Sequence, residues 1–289
     1  MRTKSSQFIK FLSSTSFAIY VLCESGLSSD IYSNEYFNNM YIVYRCDRSS
    51  LTSAISRGGG VVVAVLASIK SREISCPHKN IEYVAVLLMC NSRNIFLYTA
   101  YIPPSSSFEI YNAHCENITF FVANSKIEDI VCLLGDSNLP NVNWISENDL
   151  GLSLMSSNFE QTFCDSVSAL NLHQVCNVPN QNMKYLDLVF LNEPNFGTVV
   201  KSLSPFVPDR IHHVGLEINL DFHEVLCQFN SKCDDALTYN FYKADWLQLN
   251  SFIESIDWYE LFYRENNDDV NFMAMKLYSK LHEAFACSK

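Results

Sequence analysis

Eight short apolar runs, rich in β-branched and aromatic residues, constrain the fold of this chain more than any other feature of its sequence. Several of them are apolar at consecutive positions, which is typical of strands buried on both faces. Two of the intervening segments, residues 108–124 and 158–170, carry apolar residues at helical spacing. Strands that alternate with helices predict a layered α/β fold. The eight runs are residues 18–23, 41–44, 61–66, 82–89, 95–101, 130–134, 186–191 and 216–220.

The charge of the chain limits how it can bind nucleic acid. Its 289 residues are 48% hydrophobic, enough for one large domain or two small ones, and its formal net charge is −11. Because phosphate contacts require Lys and Arg, binding to DNA would need a local basic patch. Ordinary solvated charges are the alternative interpretation of the same residues. The candidates for the patch are Arg45, Arg48, Arg57, Lys70 and Arg72.

Cysteine usage and the N-terminal segment indicate an intracellular protein. The eleven cysteines are scattered and form no Cys-x-x-Cys pair, which argues against zinc binding and against a disulfide framework. The first 23 residues resemble a signal peptide, but Lys10 and the serine-rich residues 13–16 interrupt the apolar region. We interpret residues 5–13 as a short helix that leads into the first strand. No apolar stretch approaches the roughly 18 residues of a membrane span.

The run at residues 130–134 is followed at once by Gly135, Asp136, Ser137 and Asn138. A continuous apolar run bounded by glycine is typical of a central strand. An acid and a carboxamide two residues apart place two oxygen-bearing side chains on one face of the strand end, an arrangement suited to a hard divalent cation beside a phosphate. The alternative is an Asx turn, in which both side chains bond to the local backbone. Spacing alone leaves both interpretations open.

Three other strand ends carry residues with the same chemical capacity. Glu24 follows the first run, Asp187 lies in the seventh, and His212-His213 precede the eighth. Layered α/β sheets usually build their sites where strands end. Together with Asp136 these residues supply what phosphodiester hydrolysis requires: oxygen ligands for Mg²⁺, a carboxylate to orient or deprotonate water, and a histidine to stabilise the phosphate.

The order of these motifs resembles that of the endonuclease/exonuclease/phosphatase superfamily. The resemblance rests on Cys23-Glu24-Ser25, on residues 101–104 and 135–138, on Leu186-Asp187-Leu188-Val189, and on a closing histidine. Residues 44–49, 56–61 and 135–144 resemble, more narrowly, the endonuclease domain of insect non-LTR retrotransposons. The likeness extends to about residue 220.

The resemblance implies a four-layer α/β sandwich, with two mixed β-sheets flanked by helices, that cleaves a phosphodiester with Mg²⁺ or alternatively Mn²⁺. By position in the motifs, Glu24 is expected to bind the metal and Tyr101 to contact the scissile phosphate. Asp136 is expected to orient or activate water, and Asn138 to position the phosphate. Arg57 is expected to contribute to substrate binding.

The closing motifs carry the last two implied roles. Asp187 is expected to help orient the catalytic histidine, and His213 is expected to pair with the phosphate. The family usually has Ser-Asp-His at the end, whereas here His212 stands in the place of the aspartate. We therefore consider Asp209, from a neighbouring turn, as a further carboxylate able to orient His213.

The resemblance also predicts how the chain is organised. Residues 1–221 are expected to form the catalytic domain, with the family's first strand apparently missing before Met1. Residues 222–289, with helix-like segments at 244–256 and 270–285, resemble the connector to a reverse transcriptase.

The leading hypothesis is a Mg²⁺-dependent endonuclease that nicks target DNA in the nucleus. The alternatives are a catalytically inactive remnant of a mobile element, or a phosphatase with the same fold.

Overall fold

The computed structural model of the protein describes residues 4–55, 57–90, 93–142, 144, 158–206, 212–221 and 245–263, with isolated positions between 276 and 283. The chain divides into two compact units, Met1–Cys227 and Gln228–Lys289. Assigning the second unit as a connector stays a prediction.

Each of the eight apolar runs forms a strand in the first unit. Three further strands, Ser71–Glu73, His173–Gln174 and Gly197–Lys201, are short or polar and were not predicted. The strands are β1 (Ile19–Cys23), β2 (Tyr41–Cys46), β3 (Val61–Leu66), β4 (Ser71–Glu73), β5 (Glu82–Leu88), β6 (Ile95–Tyr101), β7 (Ile130–Asp136), β8 (His173–Gln174), β9 (Asp187–Leu191), β10 (Gly197–Lys201) and β11 (Leu216–Leu220).

In the described part of the first unit, three α-helices accompany these strands: α1 (Ser5–Ser14), α2 (Phe108–Ala123) and α3 (Asn158–Ala169). Single 3₁₀ turns lie at Ser33–Glu35 and Pro194–Phe196. The helices occupy the segments that the periodicity predicted, within one residue of the predicted ends. Within the part of the chain that the structure describes, no helix is both long enough and apolar enough to cross a membrane.

The larger sheet is mixed and has the order β4-β5-β6-β7-β9-β8. Only β6 and β7 run parallel, and the other neighbours in this sheet are antiparallel. A smaller antiparallel sheet has the order β1-β3-β2, and β10 pairs with β11 in a separate antiparallel ribbon. Among the described strands, β1 is therefore an edge strand of the smaller sheet.

Alternating side chains stack these elements into four layers. In β3, Val62 and Ala64 pack towards Phe8 of α1, whereas the intervening valines join a second apolar cluster with Val84 and Val86 of β5. The opposite face of β5 and β6 packs against α2 and α3 in a third cluster. The order is helix, small sheet, large sheet, helices, which is the predicted four-layer sandwich. Two mixed sheets were expected, but among the described strands only the large sheet is mixed.

The register of the larger sheet places polar side chains at one edge. Asp136, the last residue of β7, lies opposite Tyr101 at the end of β6 and opposite Asp187 at the start of β9. Gly135 permits this close approach, because a Cβ at that position would lie 2.0 Å from the Ala100 carbonyl oxygen. Its φ of +141° is also one that L side chains rarely adopt. Glycine before Asp136 thus lets the strand carry its carboxylate to the sheet edge.

The second unit contains the helices α4 (Trp246–Glu254) and α5 (Trp258–Tyr263). The Asp245 carboxylate caps α4 by accepting hydrogen bonds from the backbone N–H groups of Leu247 at 3.1 Å and Gln248 at 3.0 Å. The predicted helix at 244–256 corresponds to α4, and α5 was not predicted. The predicted helix at 270–285 lies largely outside the described residues.

Candidate active site

Four strand ends converge on one cluster of polar side chains. Glu24 directly follows β1, and the Tyr101 hydroxyl at the end of β6 donates a hydrogen bond to Glu24 Oε1 at 2.7 Å. Asp136 and Asp187 lie opposite each other in neighbouring strands. The structure thus brings these residues together although they are far apart in the sequence.

His213 lies between the two aspartates. Its Nδ1 is 3.0 Å from Asp187 Oδ2, and its Nε2 is 3.7 Å from Asp136 Oδ2. The first contact is a hydrogen bond that fixes the orientation of the ring, while the second holds the far nitrogen near a buried carboxylate. This contact suits Asp187 to orient His213, and that role stays a prediction. Asp209, the other carboxylate predicted for this role, lies outside the described residues.

The loop that carries His213 is held by a buried amide. The Asn180 side chain donates from Nδ2 to the His212 carbonyl at 2.9 Å, and its Oδ1 accepts from the backbone N–H groups of Asn182 and Lys184. His212 itself is exposed. Asn180 therefore ties the histidine loop to the segment that leads into β9.

The surroundings of Asp136 and His213 raise the pKa of both groups. Burial raises the pKa of Asp136, and the neighbouring Asp187 carboxylate raises it further. The hydrogen bond to Asp187 raises the pKa of His213 to about 9, to which the charges of Asp187, Asp136 and Glu24 contribute. The site therefore favours a protonated imidazole beside carboxylates at neutral pH.

Asp136, Asp187 and His213 each offer a ligand atom, and these atoms lie within 4.8 Å of one another. Carboxylate oxygens are the ligands that Mg²⁺ prefers, and it commonly needs only one or two of them. A histidine with a raised pKa is a poor ligand, because binding requires the neutral ring. The donor set thus fits a hard divalent cation through its carboxylates. Glu24 is not part of this group of three, and its role as a metal ligand stays a prediction.

Asn138 is held by the backbone around it. Its φ is +47°, its backbone N–H donates to Asp136 Oδ1 at 3.2 Å, and its Nδ2 donates to the Ile102 carbonyl at 2.8 Å. The first of these bonds is the Asx-type contact that the sequence left open. The buried Tyr111 hydroxyl supports the same turn, with its oxygen 2.9 Å from the Ser137 carbonyl oxygen. A phosphate contact from Asn138 stays a prediction.

The predicted basic patch is wrong for two of its members. Arg45 pairs with Asp47, and Arg48 pairs with Glu82. Both guanidinium groups are largely buried because they bond to carboxylates and backbone carbonyls of their own domain. The other three candidates, Arg57, Lys70 and Arg72, are exposed.

Sequence reasoning missed the two residues that hold loops of this site, Tyr111 and Asn180, and the buried Glu82 that pairs with Arg48. The first two lie within segments whose pattern indicates only a helix or a loop. Glu82 carried a signal, because it is a charged residue at the start of an otherwise apolar run. A buried charge is normally paired, so this position indicated an unidentified cation.

Replacing Asp187 with asparagine should lower the pKa of His213 from about 9 towards its ordinary value of 6.5, because the ring loses its charged hydrogen-bond partner. The measurement is an NMR titration of the His213 ring in metal-free protein. Asp165→Asn, which changes an exposed carboxylate on α3, serves as the control and should leave the titration unchanged. An unaltered His213 pKa in Asp187→Asn would contradict the assignment.

The stacked layers are those of the endonuclease/exonuclease/phosphatase fold, which this chain shares with the solved structures that follow. The sequence matches no protein-family model and no curated protein sequence. The endonuclease domain of TRAS1, a telomere-specific non-LTR retrotransposon, is a similar solved structure, with a TM-score of 0.52 at 15% identity over 75% of this chain and 91% of that one.

Two further solved structures share the fold. An AP endonuclease from Archaeoglobus fulgidus has a TM-score of 0.53 at 12% identity, and covers 76% of this chain and 95% of its own. A 3′ phosphatase from Neisseria, bound to a product DNA hairpin, has a TM-score of 0.51 with the same identity and coverage. At these identities the comparisons establish the fold.

Proposed function

We propose that this chain is a divalent-metal-dependent phosphodiester hydrolase that nicks DNA, as the endonuclease domain of a retrotransposon. The observation that carries this proposal is the position of His213 between Asp187 and Asp136, with a raised pKa. A protonated imidazole held in this way can pair with an anionic phosphate oxygen.

Asp136 is suited to the role of general base. Its carboxylate is buried, and burial raises its pKa above that of an ordinary aspartate. A base whose pKa lies nearer the working pH accepts a proton from water more effectively. In this mechanism Asp136 takes the proton of the attacking water, while Asp187 keeps His213 oriented towards the phosphate.

A bound divalent cation would neutralise phosphate charge and stabilise the leaving oxygen. The carboxylates of Glu24 and Asp187 are the groups that would hold it, because a metal-bound Asp136 would lose the raised pKa that suits it as the base. Tyr101 keeps its proton, because burial and its contact with Glu24 raise the pKa of the phenol, and so it remains a donor that orients Glu24. Mg²⁺ suits these oxygen ligands, and Mn²⁺ is the alternative.

Two solved structures with this fold support DNA as the substrate: one is a retrotransposon endonuclease domain, and the other is a 3′ phosphatase bound to a DNA hairpin. The exposed Arg57, beside the loop of residues 58–60, supports it as well. In a retrotransposon the enzyme would act in the nucleus, and a reverse transcriptase would extend the 3′-hydroxyl at the nick. Location and partner are both parts of this proposal.

A phosphomonoesterase is the second candidate. The net charge of −11 and the internal pairing of Arg45 and Arg48 leave little positive surface for a long polyanion. This candidate requires the same cluster of side chains and a smaller substrate. A chain that hydrolyses neither substrate would be an inactive remnant.

Supercoiled plasmid incubated with the intact chain and Mg²⁺ should convert to the nicked form, and a chelator should stop the conversion. A parallel assay with soluble phosphate monoesters distinguishes the two candidates. Hydrolysis of the monoesters without nicking would favour the phosphatase. An intact, folded chain that hydrolyses neither substrate would remove the claim of activity.

A further inference from the structure

A buried carboxylate outside the cluster of Asp136, Asp187 and His213 has an unusually complete set of partners. Glu82, at the start of β5, accepts hydrogen bonds from the Gly60 backbone N–H at 2.6 Å, from Arg48 Nε at 2.6 Å and from Thr52 Oγ1 at 3.2 Å. The Glu82 and Arg48 side chains are only 1% and 8% exposed. Such a pair is held in one geometry by several elements at once.

One set of contacts leads from Glu82 through the loop of Gly58, Gly59 and Gly60, the glycine loop, to Glu24. Glu82 fixes Gly60, whose carbonyl accepts from the Ser25 backbone N–H at 3.1 Å, while the Gly59 carbonyl accepts from Gly26 at 2.8 Å. Glu24 itself has a φ of +53°, a left-handed conformation that non-glycine residues keep only when their surroundings impose it. The glycine loop holds the two residues that follow Glu24 and so imposes that conformation.

The second set of contacts leads from Arg48 through Tyr101 to the same carboxylate. The Arg48 guanidinium lies over the Tyr101 ring at 5.6 Å from its centroid, and Tyr101 donates to Glu24 Oε1. Arg48 Nη1 also donates to the Arg57 carbonyl at 2.9 Å. Gly59 allows the loop to close over this guanidinium, because a Cβ at that position would lie 2.3 Å from it.

We propose that Arg48 and Glu82 are positioning residues that hold the Glu24 carboxylate in the orientation required to bind the divalent cation. Their two sets of contacts reach Glu24 from its backbone and from its side chain, and both start from the same ion pair. A contribution to stability alone does not explain this ion pair. Apolar residues of similar volume usually stabilise a protein core at least as well as a buried ion pair does. The inference rests on the proposed function, since it assigns the ion pair to the metal step of that reaction.

The test compares Mg²⁺ binding in metal-free wild type, Glu82→Gln and Arg48→Lys by titration calorimetry, with nicking measured as a function of Mg²⁺ concentration. Loss of a residue that orients a ligand typically weakens metal binding by about 10- to 100-fold. We expect that loss in both variants, together with recovery of most of the nicking rate at saturating Mg²⁺. Each sample is corrected for its folded fraction by circular dichroism.

Asp47→Asn is the matched control. Arg45 and Asp47 form a second, partly buried ion pair from the same segment, but Arg45 bonds to the carbonyls of Ile31 and Ser28, away from Glu24. This variant should bind Mg²⁺ like wild type. Wild-type Mg²⁺ affinity in folded Glu82→Gln or Arg48→Lys would overturn the proposal, and so would a wild type that does not bind Mg²⁺.

Failure of the proposed function has a different result. If wild type binds Mg²⁺ but does not nick DNA, the nuclease proposal fails while the calorimetric comparison still decides the role of the pair. If Glu82→Gln does not fold, Arg48→Lys provides the comparison, because it keeps the positive charge near Glu82 and loses the planar group over Tyr101.

Discussion

Asp136→Asn should reduce DNA nicking by about 100- to 10,000-fold, the range expected when a general base is lost. The amide matches the carboxylate in size but cannot accept the proton of the attacking water. Asp136 also lies beside His213 and opposite Asp187, so the substitution removes a negative charge from the region that would hold the cation. The measurement is the rate of plasmid relaxation at saturating Mg²⁺.

This loss should not come from unfolding. Burial raises the pKa of Asp136, so the folded state disfavours its charged form, and a neutral amide at this position removes that penalty above neutral pH. The metal-free variant should therefore be at least as stable as wild type at pH 8 in thermal unfolding. The exposed Asp165→Asn provides the matched control for activity. Nicking by Asp136→Asn within about tenfold of wild type would exclude Asp136 as the base.

The free energy of unfolding should fall by about 3 kcal/mol between pH 6.5 and pH 4 because of one buried histidine. His114 is buried in α2, its ring stacks on Phe163, and its Nδ1 lies 3.2 Å from the Tyr98 hydroxyl. Burial lowers its pKa from 6.5 to about 4. Below pH 6.5 the unfolded chain binds a proton at His114, whereas the folded protein binds it only near pH 4. The contribution of His114 to stability is therefore present above pH 6.5 and is lost as the pH falls towards 4.

Urea unfolding of wild type and His114→Gln at pH 7.5 and pH 4.5 isolates this contribution, because glutamine can accept the tyrosine hydrogen bond but does not titrate in this range. Wild type should lose about 3 kcal/mol more than the variant between the two conditions. His78→Gln, at a partly exposed position paired with Glu116, is the control and should behave like wild type. Parallel losses in wild type and His114→Gln would show that His114 does not cause the acid sensitivity.

Most strands of the first unit were predictable because their burial shows in the sequence as runs of consecutive apolar residues. The valines at 61–63 and the run at 130–134 are apolar at consecutive positions, which suits strands sandwiched between two layers. The short strand Ser71–Glu73 was not predictable, because it pairs with β5 through backbone bonds and carries polar side chains. Pairing partners of this kind are set by the tertiary structure.

The site could be predicted in part for a similar reason. Glu24, Asp136 and Asp187 are polar residues at the ends of apolar runs, and the register of the sheet brings strand ends together. The contacts that hold them are non-local: Asn180 bonds to His212, and Glu82 bonds to Arg48. The interpretations of Arg48 as part of a basic patch and as a solvated charge both failed, because its partner lies 34 positions away in sequence.

The edge position of β1 determines which contacts must hold Glu24 in place. Within the described strands, β1 pairs with β3 on one side, so its outer backbone groups do not belong to a ladder. Edge strands open locally at lower cost than central ones, and their amide protons exchange with solvent sooner. The sheet itself therefore holds Glu24 less firmly than it holds Asp136, because β7 is paired on both sides. Glu24 depends instead on the bonds of Ser25 and Gly26 to the loop of residues 58–60 and on the Tyr101 hydroxyl. One carboxylate of the centre is thus placed by its own strand ladder, and the other by contacts from a loop and from the larger sheet.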